Sequence, residues 1–415
     1  MEILNEKTFF IYNISDKKYI FYNSNQHAAL KIDYSTLCIL NIIYKYKDID
    51  YILSNISEKY HNHVISILNK VEESRILDIN SDQSSSNVSL DIPPIKYYLH
   101  VTYKCNLGCV YCYNKDIRIY NNSLNLSDWH KIIDSISPYA NYIVLTGGEA
   151  FLNADLLNIV EYIKTKNVNI TVEIISNCMN DFEKNENFKM ILSKIDKITF
   201  SCDNLSTKEE IRKNFNAELF KKNIQFIKKT FDQLDVTISS TYTKNSEARL
   251  KVVEDFAELN EARYQRVLVI PNNEAEKELM PNINEYKSLI KSESKEKKPL
   301  PPKRLFCGAG LGVISIDPLG NVYPCHNLHY KKFSYGNILE QPFLDLIKSE
   351  QSIFFRTNPN IDSIEGCKDC NLRYLCCGGC RAASFRIEGG LTKMPKTLCE
   401  YNKEEAIHKL ISSFL

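Results

Sequence analysis

The sequence predicts an α/β chain in three parts. An open barrel of six βα units occupies the middle, a small sheet-and-helix unit precedes it, and a metal-held cysteine-rich module follows. Three observations predict this. Short apolar runs alternate with helical periods from Ile95 to about Ile270. Ten of the 14 cysteines fall into two spaced groups, one at the start of that region and one after it. Two polar stretches, 80–94 and 291–306, interrupt the apolar pattern and mark linkers. The expected boundaries are therefore 1–79, 95–290 and 307–415.

In the first unit, Phe9 to Ile14 and Lys18 to Tyr22 read as strands around the turn Ser15-Asp16-Lys17, and Ala28 to Ile32 as a third. Helical spacing follows. Leu37, Leu40 and Tyr44 suggest one helix, Ile49, Ile52, Leu53 and Ile56 a second, and Val64, Ile67, Leu68 and Val71 a third. The first linker contains Ser81-Asp82-Gln83-Ser84-Ser85-Ser86-Asn87 and ends in Pro93-Pro94.

Six central strands are expected: Tyr97–Thr102, Tyr142–Thr146, Ile170–Ser176, Lys197–Ser201, Val236–Tyr242 and Arg266–Ile270. Strands separated by helices pair in parallel. A closed eight-strand barrel takes about 250 residues, more than this region supplies, so the barrel is expected to stay open. In such folds the chemistry sits at the carboxyl ends of the strands.

The formal net charge of +1 creates no global field toward nucleic acid or membrane. No apolar run approaches the ~18 residues of a membrane span. The start, MEILNEKTFFIYNISDKK, lacks a basic segment followed by an apolar one, so no signal peptide is expected and the protein reads as cytoplasmic. In a reducing compartment, closely spaced cysteines point to metal ligands rather than disulfides.

The first strand runs into Cys105-Asn-Leu-Gly-Cys109-Val-Tyr-Cys112, a CX3CX2C spacing. Three thiolates on one loop suit three corners of a four-iron cluster. A zinc site is the alternative, but it ordinarily takes four protein ligands. With Tyr111 directly before the third cysteine, this segment resembles the radical S-adenosylmethionine (SAM) superfamily. The resemblance implies that SAM binds the open iron and that an electron from the cluster releases a 5′-deoxyadenosyl radical. Cys105, Cys109 and Cys112 would then be both metal ligands and catalytic.

By the same resemblance Thr146-Gly147-Gly148-Glu149, at the end of the second strand, is the SAM-amino-group motif. Ser176 and Asn177 end the third strand, where Cys178 replaces the glycine usual in the family. Ser201 and Asp203 end the fourth. Tyr111, Gly147, Gly148, Glu149, Ser176, Asn177, Ser201 and Asp203 are thus the expected SAM contacts. Arg212 could neutralise the SAM carboxylate, but it reads first as a solvated helix residue.

The second group comprises Cys307, Cys325, Cys367, Cys370, Cys376, Cys380 and Cys399. The tight set CX2CX5CX3C, with Gly320 ahead of Cys325, resembles the SPASM extension of peptide- and protein-modifying radical SAM enzymes. That implies interleaved auxiliary clusters, one on Cys367, Cys370, Cys376 and Cys399, the other on Cys307, Cys325 and Cys380. The cofactors implied are SAM and three 4Fe-4S clusters. The fourth position of the second auxiliary cluster stays open to a substrate thiolate, an oxygen ligand or Cys377, the nearest spare thiol.

Residues 1–79 are similar to the winged-helix-like leader-recognition element of ribosomal-peptide maturases and to the small peptide chaperone of pyrroloquinoline quinone biosynthesis. The implied partners are a ribosomal precursor peptide, held by its leader, and an electron donor such as flavodoxin or ferredoxin. A plain winged-helix nucleic-acid binder is disfavoured because the region lacks a clustered basic face. The implied function is hydrogen abstraction from a precursor peptide to install a cross-link. The segment from Cys307-Gly-Ala-Gly to Tyr335-Gly336-Asn337-Ile338 is most like thioether-forming members. Carbon–carbon cross-linking and sulfatase-maturase-like protein modification are the alternatives within the family. Outside it stand an iron–sulfur scaffold without SAM cleavage and a zinc module.

Overall fold

A computed structural model describes residues 8–46, 48–74, 76–77, 93–115, 124–206, 211–292, 298–358 and 360–414. Most of the first expected linker and the centre of the second lie outside these residues. Among the described residues no helix is long and apolar enough to cross a membrane.

The first unit is an antiparallel sheet, β1 (Phe9–Ser15), β2 (Lys18–Asn23) and β3 (Ala28–Asp33), in that order. Helices α1 (Tyr34–Tyr46), α2 (Ile49–Ser54) and α3 (His61–Ser74) follow. Alternation along β2 sends its side chains to opposite faces. Phe21 joins Phe9, Ile32, Leu37, Leu40 and Ile67 in the unit's own core. Ile20 and Tyr22 point the other way and pack on Leu372, Leu375, Ala406 and Leu410 of the cysteine-rich module. The sheet is therefore buried on both faces, once by its own helices and once by the far end of the chain.

The central sheet begins with β4 (Lys96–Thr102). The cysteine loop follows, carrying the two-residue strand β5 (Gly108–Cys109). Next come β6 (Tyr142–Gly147), β7 (Thr171–Ser176) and β8 (Lys197–Ser201), then the short β9 (Arg212–Lys213), β10 (Asp235–Tyr242) and β11 (Arg263–Leu268). The six long strands pair in parallel, as expected, in the order β11-β10-β8-β7-β6-β4. Helices α4 (Leu126–Ile136), α5 (Leu156–Lys166), α6 (Glu186–Lys194), α7 (Ala217–Thr230) and α8 (Glu247–Leu259) form the outer layer.

Strand alternation separates core from site. Leu99, Leu145, Ile174, Phe200 and Ile238 face the helices and meet Trp129, Ile159 and Phe220 in one apolar core. Each such side chain contributes about 1.5–3 kcal/mol on burial. Residues of the other parity, Thr146, Ile175, Ser201, Ser239 and Thr241, line a cavity on the concave side.

The sheet does not stop at the barrel. Strand β12 (Val313–Ile316) pairs in parallel with β4, on the side away from β6. Then β13 (Asn321–Tyr323) and β14 (Gly336–Asn337) add antiparallel, so nine strands share one sheet among the described residues. The cysteine-rich region thus begins as an extension of the barrel. Helix α9 (Ile283–Ser292) precedes it. It continues through α10 (Phe343–Ile347), α11 (Glu350–Thr357), α12 (Arg373–Cys376), α13 (Arg381–Glu388) and α14 (Lys396–Ser412).

Candidate functional site

The concave side holds a cavity of about 320 Å³. Cys105, Cys109 and Cys112 line it together with Tyr111, Gly147, Gly148, Ser176, Asn177 and Ser201. The structure therefore brings the three thiols and six of the eight expected SAM contacts around one volume.

Two glycines explain how the strand ends meet. A Cβ on Gly147 would lie 2.1 Å from the Thr102 carbonyl oxygen, and Gly147 has φ +140°. A Cβ on Gly148 would lie 2.2 Å from the Lys104 carbonyl oxygen. Only glycine lets the end of β6 lie against the base of the cysteine loop. Cys178 has φ +66°, a left-handed conformation that favours glycine, the residue expected there by resemblance.

Glu149 and Asp203, the other two expected contacts, are 1% and 0% exposed and stand directly behind the residues that line the cavity. Glu149 accepts hydrogen bonds from Ser176 Oγ (2.9 Å) and the Asn177 amide (2.7 Å), so it clamps the β7 turn to the β6 turn. Burial lifts its carboxyl from 4.5 to about 7, against the pull of those donors. Asp203 accepts from Arg212 Nε at 2.8 Å, from the Thr241 amide at 2.7 Å and from the Tyr111 hydroxyl.

Arg212 requires a correction, since it is neither helical nor solvated, and it lines the cavity. It lies on β9, which pairs antiparallel with β5 of the cysteine loop, and it is 7% exposed. Its Nη1 donates to Cys109 Sγ at 3.7 Å, and its guanidinium lies 5.6 Å from the Tyr111 ring centre. An isolated buried cation would be expensive, and the Asp203 pair offsets that cost. The chain Asp203–Arg212–Cys109 places positive charge beside a thiol that burial alone would keep protonated. On the other side of the loop, Asn177 Nδ2 is 3.9 Å from Cys105 Sγ and donates to Asn106 Oδ1 at 2.7 Å. Asn272, just beyond β11, donates to the Tyr111 and Cys112 carbonyls at 3.3 and 3.4 Å.

Sequence reasoning missed the wall supplied by the C-terminal module: His326, Asn327 and Arg386 complete the cavity. No local pattern marks them, because they arrive through the long-range β4–β12 pairing. Asn272 did carry a signal, since it closely follows a barrel strand. Behind His326 lie His329 and the fully buried His100, whose rings are 4.4 Å apart. Burial holds all three imidazoles uncharged, His326 at about 4 and His329 at about 3.

The second cysteine group gathers in two neighbourhoods. The Cys376 thiol feels Cys367, Cys370 and Cys399, and burial with these neighbours pushes it up to about 12. The Cys325 thiol feels Cys380 and Cys307 and is raised by burial. Cys377 lines a cavity of about 230 Å³ together with Cys307, Cys376 and Cys380. Among the described residues no three donors converge at the spacing of one metal ion. Cys105, Cys109 and Cys112 line one volume and Cys307, Cys376, Cys377 and Cys380 another, and sulfur-only donor sets around such spaces fit iron–sulfur clusters.

Comparison with known proteins agrees with this geometry. Residues 99–277 match the radical SAM superfamily, and residues 307–371 match the SPASM iron–sulfur cluster-binding domain. The chain is 23% identical over 318 residues to the antilisterial bacteriocin subtilosin biosynthesis protein AlbA of Bacillus subtilis, covering 70% of this chain and 69% of AlbA. It is 25% identical over 328 residues to the mycofactocin maturase MftC of Mycolicibacterium smegmatis, covering 70% and 79%. Its fold is similar to that of Streptococcus suis SuiB bound to the precursor peptide SuiA, with TM-score 0.58, 16% identity, and 95% and 98% of the two chains covered. AnSMEcpe with bound SAM and a peptide has TM-score 0.60 and 17% identity, over 78% of this chain and 100% of that one. With a SAM-type cysteine loop at the mouth of a parallel half-barrel and a second thiol set behind it, the chain belongs to the radical SAM superfamily and is an enzyme of its SPASM-bearing branch.

Proposed function

We propose that this enzyme modifies a ribosomally made precursor peptide, abstracting hydrogen from a peptide carbon to install a cross-link, most favourably a cysteine-to-carbon thioether. The observation that carries this reading is the N-terminal unit. Its sheet is fastened to the cysteine-rich module, and the peptide-bound SuiB structure overlays 95% of the chain, whereas the anSMEcpe structure overlays 78%. AlbA and MftC, a bacteriocin biosynthesis protein and a maturase, support the same class. The leader would add as a strand to the edge of β3, where Lys31 and Asp33 are exposed.

When bound and reduced, the barrel cluster supplies an electron that cleaves SAM to a carbon radical. The chain's own residues do the rest. Arg212 and Asn177 donate toward the Cys109 and Cys105 sulfurs and favour their thiolate state. Gly147 and Gly148 leave backbone exposed on the cavity wall for the polar end of SAM. Ser176 and Ser201 offer hydroxyls there. His326 and Arg386 form the opposite wall, where the peptide carbon would lie.

Three 4Fe-4S clusters would bring about twelve irons per chain. A flavodoxin or ferredoxin would supply electrons. The test is anaerobic turnover of the reduced enzyme with SAM and full-length peptides translated from short reading frames adjoining the gene. The expected product has lost two hydrogens per cross-link, and a Cys→Ser peptide should not form it. Loss of hydrogens from the Cys→Ser peptide would favour a carbon–carbon link. Release of 5′-deoxyadenosine with every peptide unchanged would overturn the proposal.

A further inference from the structure

A second cavity, of about 590 Å³, lies between β11, α9, α14 and the segment Lys298–Pro301. The proposed chemistry leaves it without a role, yet it touches every part of the machinery. Val267 and Leu268 wall both this cavity and the SAM cavity. Glu405 and Lys409 wall both this cavity and the space around Cys307, Cys377 and Cys380. Pro301, on its rim, accepts a hydrogen bond from His27 Nε2 (2.5 Å) in the N-terminal unit. The three spaces are thus neighbours through shared side chains, and the leader unit sits at the outer end.

The inner end is an apolar sill. Strand β11 is the edge of the nine-stranded sheet, and Val267 near its end is 48% exposed. An exposed edge strand offers unpaired backbone groups, and natural sheets cover such edges. The walls suit a peptide that is uncharged or acidic. Arg266 is paired with Glu254 at 2.9 Å, and Lys409 is paired with Glu405. Lys298 stands on the exposed rim.

We infer that this cavity is the substrate conduit. The stretch of precursor between leader and modified residue runs from the N-terminal unit past Lys298–Pro301, lies along the walls formed by Tyr286, Ile290, His408 and Ser412, and crosses β11 at Val267 to reach the SAM cavity. The inference rests on the peptide-modifying reading and adds the route. It also explains why the second linker is proline-bearing at its described end: Pro299 and Pro301 form a stiff wall that needs no hydrogen-bonding partner for a backbone N–H.

The test uses the full-length, cluster-loaded enzyme and the full-length peptide identified by the turnover assay. His408→Trp fills the middle of the conduit. The peptide KM should rise at least tenfold, with iron content and SAM affinity retained as controls for folding. Independently, a benzoylphenylalanine placed at the exposed Lys298 should, on irradiation, cross-link to the peptide between its leader and its modified residue. A wild-type KM in His408→Trp, or cross-links confined to the leader or absent altogether, would overturn the route while leaving the peptide-modifying reading intact. If the wild-type enzyme modifies no peptide, both fall.

Discussion

The two cysteine sites of this enzyme are built on opposite plans. In the barrel, Cys105, Cys109 and Cys112 share one short loop, and protein bonds hold that loop on every side. Strand β9 pairs with it, Arg212 and Asp203 brace it, Asn272 ties its carbonyls, and the two glycines let β6 lie against its base. In the C-terminal module the seven cysteines are drawn from segments between Cys307 and Cys399, joined by short helices and turns. The bonds around the barrel loop are those of polypeptide alone, so its shape is expected to persist without iron. Segments so far apart in sequence are expected to depend on their metal to stay together, as small metal-held domains do.

The largest effect that tests this contrast comes from replacing Cys105, Cys109 and Cys112 together with Ala. SAM cleavage should fall below detection while roughly two-thirds of the iron stays bound, on the auxiliary sites. Residual 5′-deoxyadenosine formation would place the chemistry elsewhere. Removing all iron with a chelator should separate the two regions. Proteolysis within 307–415 is expected to accelerate at least tenfold, and cleavage within 95–290 much less. Equal acceleration, read by mass spectrometry of the fragments, would show that the barrel loop needs metal as much as the module does.

A smaller effect should follow from Asp203→Ala, which leaves Arg212 buried without its counter-ion. The expected cost is about 3–5 kcal/mol, read from thermal unfolding. Asp203→Ala combined with Arg212→Leu should recover much of it, and failure to recover would mean that the pair acts through something other than charge balance.

Glu149 gives a pH signature. Its folded pKa, about 7, lies above 4.5, so the folded state holds the proton more tightly than the unfolded chain. The stabilisation is full below pH 4.5 and is lost as pH rises through 7. The loss is on the order of 3 kcal/mol. Glu149→Gln should flatten the stability profile between these values, and an unchanged slope would exclude Glu149 as its source. The smallest effect is expected at the docked N-terminal sheet. The Tyr22 hydroxyl and His27 Nδ1 are 2.9 Å apart, and Tyr22→Phe should cost about 1 kcal/mol. A much larger loss would mean that this hydrogen bond controls docking of the whole unit.

What could be read from the sequence follows from the range of the forces involved. Strands with five or more residues announced themselves, and each expected barrel strand overlaps an observed one. The thiol loop was legible because its ligands are local. Arg212 was not, because β9 is two residues long and has no period to detect. Glu149 and Asp203 were placed at the right strand ends, but the hydrogen bonds that make them braces between turns were not foreseen. A motif fixes position along the chain, while the choice between facing a ligand and bracing a neighbour depends on turns that only the fold brings together. His326 and Arg386 depend on β12 joining β4, a pairing without local trace.

That pairing also bears on how the chain is made. Ser315 Oγ donates to the Tyr98 carbonyl across 217 residues of sequence. At about 5–20 residues per second, β4 leaves the ribosome roughly 10–40 s before its partner β12 is synthesised. During that interval the nascent half-barrel carries the unpaired backbone edge of β4, the kind of edge that recruits other chains. Overexpression should therefore favour inclusion bodies, and slower synthesis or a holdase chaperone should raise the soluble yield more than added iron does.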